Sequence, residues 1–236
     1  MAADFDGTDD VIDIGESTVM NGLADASWFM WVDQDITPVG ANLALYGEVG
    51  PTIPTTSWGL IGSDGVFTGR TDQYSTLVTD GSASIILVEG ATGSLNTTDW
   101  QSVGSTFDGG SATGLRLYID GSEDANSPVS VAGVSTLPTV TGGVTIGELH
   151  DGTLDNDFAA AWATQWDAIL SATKMAALNR GANPFIMDNQ NVIACYPMWN
   201  TDNLGMDISG NANNGTVTGP TQATRGAPVE PLENFL

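Results

Sequence analysis

Residues 99–122, DWQSVGSTFDGGSATGLRLYIDGS, constrain the fold more than any other stretch of this chain. A Trp-led run is followed by a Gly-rich turn and then by a second run ending in Tyr-Ile-Asp-Gly. In the second run Leu115, Leu117 and Ile119 alternate with Arg116, Tyr118 and Asp120. A period of two with one apolar side is the pattern of a half-buried antiparallel strand.

The same grammar recurs along the chain. Asp-Gly occurs at Asp6, Asp64, Asp80, Asp108, Asp120 and Asp151, and Asn-Gly at Asn21 and Asn214. These pairs accept the positive φ angles of tight hairpin turns. Between them lie short runs rich in Val, Ile, Thr and aromatics, over 11–14, 27–33, 43–48, 74–78, 84–89 and 144–149. Regular short strands with such punctuation predict an all-β sandwich or barrel. In SWFMWVD, Trp28, Met30 and Val32 fall on one side and Phe29 and Trp31 on the other. A strand apolar on both sides is expected at the centre of a sheet, covered on both faces.

Composition narrows the function classes. Five Lys and Arg face 29 Asp and Glu, for a net charge of −24. That field opposes nucleic acid, which needs basic patches that release counterions, and it opposes anionic membranes. The one cysteine, Cys195, excludes an internal disulfide. The opening MAADFDGTDD has neither a basic nor an apolar region, so no secretory signal is expected. No apolar run reaches the length of a membrane span. The expectation is a soluble protein folded in a reducing cytoplasm.

Residues 158–170, FAAAWATQWDAIL, admit two readings. Phe158, Trp162, Trp166 and Leu170 make a helical stripe, and the alanines favour helix. Strand alternation instead places Phe158, Ala160, Trp162, Trp166, Ala168 and Leu170 on one side. A short helix after it is clearer. Ser171 is a plausible N-cap, Met175 and Leu178 supply an apolar edge, Gly181 stops the helix and Pro184 prevents its resumption.

Catalytic patterns are poor. The seven Glu (Glu16, Glu48, Glu89, Glu123, Glu148, Glu230 and Glu233) lack the close pairing a glycanase needs. His150 lies between Glu148 and Asp151, yet no nucleophile motif accompanies it, so it reads as a turn residue. Cys195, in an apolar run, reads as a buried thiol. One His and one Cys make zinc a poor candidate. A non-enzymatic protein is expected.

Several quoted stretches resemble laminin-G-like, concanavalin-A-like jelly-roll domains. The Trp-led strand with its Tyr-Ile-Asp-Gly turn is one. DFDGTDDVIDIG, residues 4–15, is similar to the family's first strand, and ACYPMWNTDNLGMDISGNANNGTVTG, residues 194–219, to an element that in most such chains comes first. The order here is reversed, as in a circular permutation. The resemblance covers most of residues 3–219, with a patchy match over about 35–95. It implies an antiparallel two-sheet jelly-roll sandwich in one domain over 1–219, with a strand at 158–170 and one short helix near 171–180. The family usually has an acid where Lys174 stands, so the helix is expected to fray. Residues 220–236, with Pro220, Pro228 and Pro231, form an extended arm that would dock on a neighbouring subunit through Val229, Leu232, Phe235 and Leu236.

The resemblance also implies Ca²⁺, held by Asp and Asn oxygens as a hard cation requires. The clusters are Asp6, Asp9 and Asp10; Asp151, Asp155 and Asp157; and Asp207, Asn211 and Asn213. Asp207 and Asn211, with Asp6 or Asp10 from the adjacent strand, are the favoured ligands. Similar chains occur among tailed-phage structural proteins. The first expectation is therefore a virion protein: a capsid decoration (cement) or coat-associated homo-oligomer bound to the major capsid protein or other virion subunits. Arg70, Arg116, Arg180 and Arg225 would then favour contacts. The alternative is a calcium-dependent carbohydrate-binding, lectin-like module using Trp58, Trp100 and Trp199.

Overall fold

A computed structural model describes residues 1–17, 19–34, 42–48, 57–63, 72–79, 85–139, 142–148 and 157–229. In chain order the elements are β1 (Ala3–Asp6), β2 (Val11–Gly15), β3 (Asp25–Gln34), β4 (Asn42–Glu48), β5 (Trp58–Ser63), β6 (Gln73–Thr79), β7 (Ile85–Glu89), β8 (Gln101–Asp108), β9 (Leu115–Ile119), β10 (Ser122–Glu123), β11 (Val144–Ile146) and β12 (Asp157–Trp166). After these come α1 (Ala172–Asn179), α2 (Pro184–Met187), β13 (Val192–Tyr196), β14 (Thr216–Thr218) and β15 (Thr221–Gln222). They form two antiparallel sheets packed as a sandwich. One runs β10-β9-β8-β3-β12-β1-β15, with β13 also paired to β12; the other runs β14-β2-β11-β4-β5-β6-β7. No helix among the described residues is long and apolar enough to cross a membrane.

The expected hairpin chemistry is visible at Asp120 and Gly121. Their φ angles are 50° and 72°, and Ile119 pairs with Ser122 across them. Two consecutive positive φ values make the tight turn whose twist matches its flanking strands. The two ends of the chain are paired in both sheets, β1 with β15 and β2 with β14. The two stretches whose order the resemblance reverses are therefore spatial neighbours.

Strand β3 is central and covered twice. Trp28, Met30 and Val32 join the core between the sheets, with Trp58, Tyr46, Phe5 and Phe158. Phe29 and Trp31 join a second cluster on the outer face of the β3 sheet. That cluster joins Val192 and Cys195, from β13 in the same sheet, to Met175 and Leu178 of α1 and to half-buried Trp100, Phe185, Trp199, Ala223, Ala227 and Val229. Ser171 caps α1 by accepting a hydrogen bond from the Lys174 amide at 3.3 Å, and Gly181 follows at φ 90°. Lys174 pairs with Asp188 at 2.5 Å.

Residues 157–166 are a strand, as the resemblance implied, but the single-sided alternation over 158–170 does not hold. The ladder to β3 slips between Ala161 and Thr164, and Trp162 sits there at φ 56°. A bulge of this kind inserts one residue and shifts the phase of everything beyond it. Phe158 and Ala160 thus face the inter-sheet core, whereas Trp162, Trp166 and Leu170 belong to the outer cluster.

Candidate functional site

The outer face of the eight-stranded sheet carries a small polar cleft. Register places its floor: Asp4 of β1 pairs with Ala159 of β12, and Ala159 pairs with Asp33 of β3. Three cross-strand neighbours share one face of a sheet, so two carboxylates flank one methyl group. The chain after β15 returns over this row, and Ala223, Thr224 and Arg225 complete a cleft of about 160 Å³. Arg225 Nη2 donates to Asp33 Oδ2 at 2.6 Å; Asp33 is buried whereas the Arg225 side chain is 54% exposed. The return is pinned by the Ala223 amide, which donates to Ala2 O at 2.9 Å, and by Gln222 Nε2, which donates to the same oxygen.

Aromatic side chains lie on the same layer. Trp100 and Trp199 are half-buried members of the outer cluster, and the Trp199 ring meets Trp162 edge-on at 5.3 Å. Trp162 holds a left-handed backbone, which costs a bulky residue on the order of 1–3 kcal/mol. The indole Nε1 atoms of Trp31 and Trp100 are buried without a hydrogen-bond partner.

Of the three tryptophans expected to stack on sugar, Trp58 is corrected. Its ring is fully buried between the sheets, 5.5 Å from Trp28 and 5.9 Å from Tyr46. An alternating strand position facing the opposite sheet has no solvent side. Trp100 and Trp199 lie on the outer face and keep partial exposure.

The expected ion site divides into two turns. Asp207 is consumed by protein donors. Its Oδ1 accepts from the Cys195 and Ser209 amides at 3.0 and 2.9 Å, and its Oδ2 accepts from Ser209 Oγ at 2.8 Å and the Asn213 amide at 3.0 Å. Asn211 turns its Nδ2 to Ile193 O at 3.0 Å. The chemistry of this turn does not fit a cation, because the carboxylate is already saturated and the amides around it repel positive charge. Asp6 and Asp10 do come together, with Asp9 and not with Asp207; one oxygen of each lies within 4.8 Å of the others. Three carboxylates suit a hard cation in donor type. Burial first, and then the charges of Asp6, Asp9 and Asp4, push the Asp10 carboxyl above its usual range, against the opposing Asp6 amide hydrogen bond. Asp157 pairs with Asp6 across β1 and β12. Asp151, Asp155, His150, Asp64, Asp80 and Arg70 lie outside the described residues.

The expected arm is also redrawn. Val229 packs on the outer cluster of its own chain, so it is covered from within. Leu232, Phe235 and Leu236 lie outside the described residues. Arg116 is held by Glu123 at 2.6 Å. Cys195 is fully buried, and that burial pushes its thiol up to about 12. Such a thiol is a poor nucleophile.

Sequence reasoning missed Asp4 and Asp33, and it assigned Arg225 to subunit contacts and not to a cleft with them. One signal was present: Asp33 follows Phe29 and Trp31 on the same side of β3, a carboxylate ending an aromatic row.

No family model matches the sequence, and no curated protein matches it. Solved structures do share the fold. A protein of Bacteroides ovatus ATCC 8483, proposed to bind carbohydrate, superposes with a TM-score of 0.71 at 18% identity over 97% of this chain. The binding domain of Paraclostridial Mosquitocidal Protein 1 superposes with a TM-score of 0.53 at 11% identity over 72%. This chain spans 61% of the length of the first and 42% of the second.

Proposed function

We propose that this chain is a non-catalytic carbohydrate-binding module whose ligand meets the outer face of the β3 sheet at Asp4, Asp33 and Arg225. The observation that carries the reading is the cleft itself, a small and largely polar recess where two carboxylates and a guanidinium lie about Ala159. Sugars are bound by such mixtures: carboxylates accept from hydroxyls, guanidinium donates to ring and hydroxyl oxygens, and apolar surface meets the C–H faces. Half-buried Trp100 and Trp199 on the same layer add stacking area. The fold-level likeness to a protein proposed to bind carbohydrate supports this reading by analogy alone. Calcium enters the proposal at Asp6 and Asp10 with Asp9, and a calorimetric titration with Ca²⁺ against Asp10→Asn tests it; identical flat traces remove it.

The virion-decoration reading rested on the resemblance to tailed-phage structural proteins, with the acidic composition, the two-faced strands and the Pro-rich terminal arm in accord with it. The described part of that arm, through Val229, is laid on the chain's own sheet. Val229 is thereby accounted for within the chain, and no solved structure reported above is a virion protein.

The test is a glycan array probed with the purified chain, alongside Thr224→Trp. Thr224 is an exposed wall of the cleft, so a Trp there fills the space without touching either core. The expected result is binding by the wild-type chain and at least about a tenfold loss in the variant, with an unchanged thermal midpoint. Unaltered binding by Thr224→Trp would place the ligand elsewhere.

A further inference from the structure

Resting on the carbohydrate reading, we infer that the cleft takes a single sugar ring free of negative charge and discriminates against anionic glycans such as uronic, sialic or sulfated sugars. Size sets the first half. The cleft measures about 160 Å³. That is the scale of one ring, well below the pockets of roughly 300–1,000 Å³ that enclose larger ligands.

Charge sets the second half. Recognising a carboxylate or sulfate calls for a cation whose fork faces the ligand. Among the described residues the cation lining this cleft is Arg225, which already donates to Asp33 at 2.6 Å. Asp4 stands on the other side of Ala159, so the lining residues sum to two negative charges and one positive. Asp33 is buried at 2% side-chain exposure, so its charge is poorly screened. The whole chain, at −24, adds a repulsive field of the same sign. A hydroxyl carries no net charge, so that field does not repel it. An anion is repelled twice, by the cleft and by the surface around it.

The experiment measures binding of matched pairs: a neutral sugar, its amino derivative and its uronic acid, by calorimetry at about 0.01 M and about 0.15 M salt, where the screening length falls from about 30 to about 8 Å. The expected result is binding of the neutral and amino sugars, with the acid at least about tenfold weaker at low salt and the gap narrowing at high salt. Asp4→Asn keeps the shape and removes one negative charge, so the neutral-to-acid ratio is expected to fall severalfold. Equal or tighter binding of the acid by the wild-type chain overturns the inference while leaving the carbohydrate reading intact. A ratio untouched by Asp4→Asn overturns the assignment of the discrimination to this cleft. Binding of no sugar of any charge class overturns the carbohydrate reading itself.

Discussion

The two faces of β3 solve the same problem in different ways. On the inner face Trp28, Met30 and Val32 are sealed by a second sheet, and the aromatic pairs there are sheet-to-sheet or strand-to-strand: Trp28 with Trp58 at 5.5 Å, Phe5 with Phe158 at 4.7 Å. On the outer face Phe29 and Trp31 are covered by two short helices and a returning terminal segment, several of whose members are only half-buried. The inner face is closed by regular structure. The outer face is closed by pieces, and where the pieces end at Asp33 the row opens into the polar cleft. A sheet covered by pieces is where a binding site can be added without dismantling the core.

The largest expected effect tests that contrast directly. Trp28→Ala empties a position sealed by two sheets and is expected to cost about 4–5 kcal/mol in urea unfolding. Trp31→Ala removes an equally large ring under a looser cover, which can settle into the gap, and is expected to cost about 3 kcal/mol or less. Equal losses would mean that the outer layer packs as rigidly as the inner one.

A second effect concerns how the outer layer is held. The Asp207 carboxylate gathers the Cys195, Ser209 and Asn213 amides, tying the loop after β13 back onto that strand. Asp207→Ala leaves these donors short of an acceptor in a buried setting, at a cost of about 2–4 kcal/mol. It is also expected to loosen the cover over Cys195, so the thiol should react faster with a disulfide reagent under native conditions. Lost stability with an unchanged thiol rate would assign Asp207 to the global fold and not to the outer layer.

Much of the inner layer was legible in the sequence, because alternation is a local signal. The two-sided pattern of SWFMWVD and the Asp120-Gly121 turn are each decided within a few residues of chain, as is the Ser171 cap of α1 in the outer layer. The outer layer was less legible. Trp162 shows why: one inserted residue reverses the facing of Trp166 and Leu170, and nothing in FAAAWATQWDAIL marks the insertion. Asp207 shows a second limit. An Asp in an Asn-rich turn reads alike whether its oxygens await a cation or are filled by amides, since the donors come from β13 as well as from its own loop. The cleft is the extreme case. Asp4, Asp33 and Arg225 are far apart in sequence and meet only through sheet register and the return of the chain past β15.

The smallest expected effect lies at the rim of the inner layer. Glu48, at the end of β4, is buried, and its Oε1 accepts from the Gly142 amide at 3.2 Å while its Oε2 has no hydrogen-bond partner among the described residues. Burial, with a smaller push from Glu16, raises its carboxyl from 4.5 to about 7 against the Gly142 hydrogen bond. Below pH 4.5 the group is protonated whether the chain is folded or not, and its contribution to stability is fully present. Between there and about pH 7 the folded chain holds a proton that the unfolded chain releases, so stability falls as pH rises. Above about 7 the folded state carries the buried carboxylate and the contribution is gone. The total is expected to be about 1–3 kcal/mol. The other 28 acidic residues also repel one another more as pH rises, so the difference between wild type and Glu48→Gln is the informative quantity. That difference should change across pH 4.5–7, level off above, and respond little to salt, because desolvation and not surface repulsion drives it. A difference that stays flat with pH would mean the rim at Glu48 is wetter than its burial indicates, and that the inner layer is less completely closed than its sheets suggest.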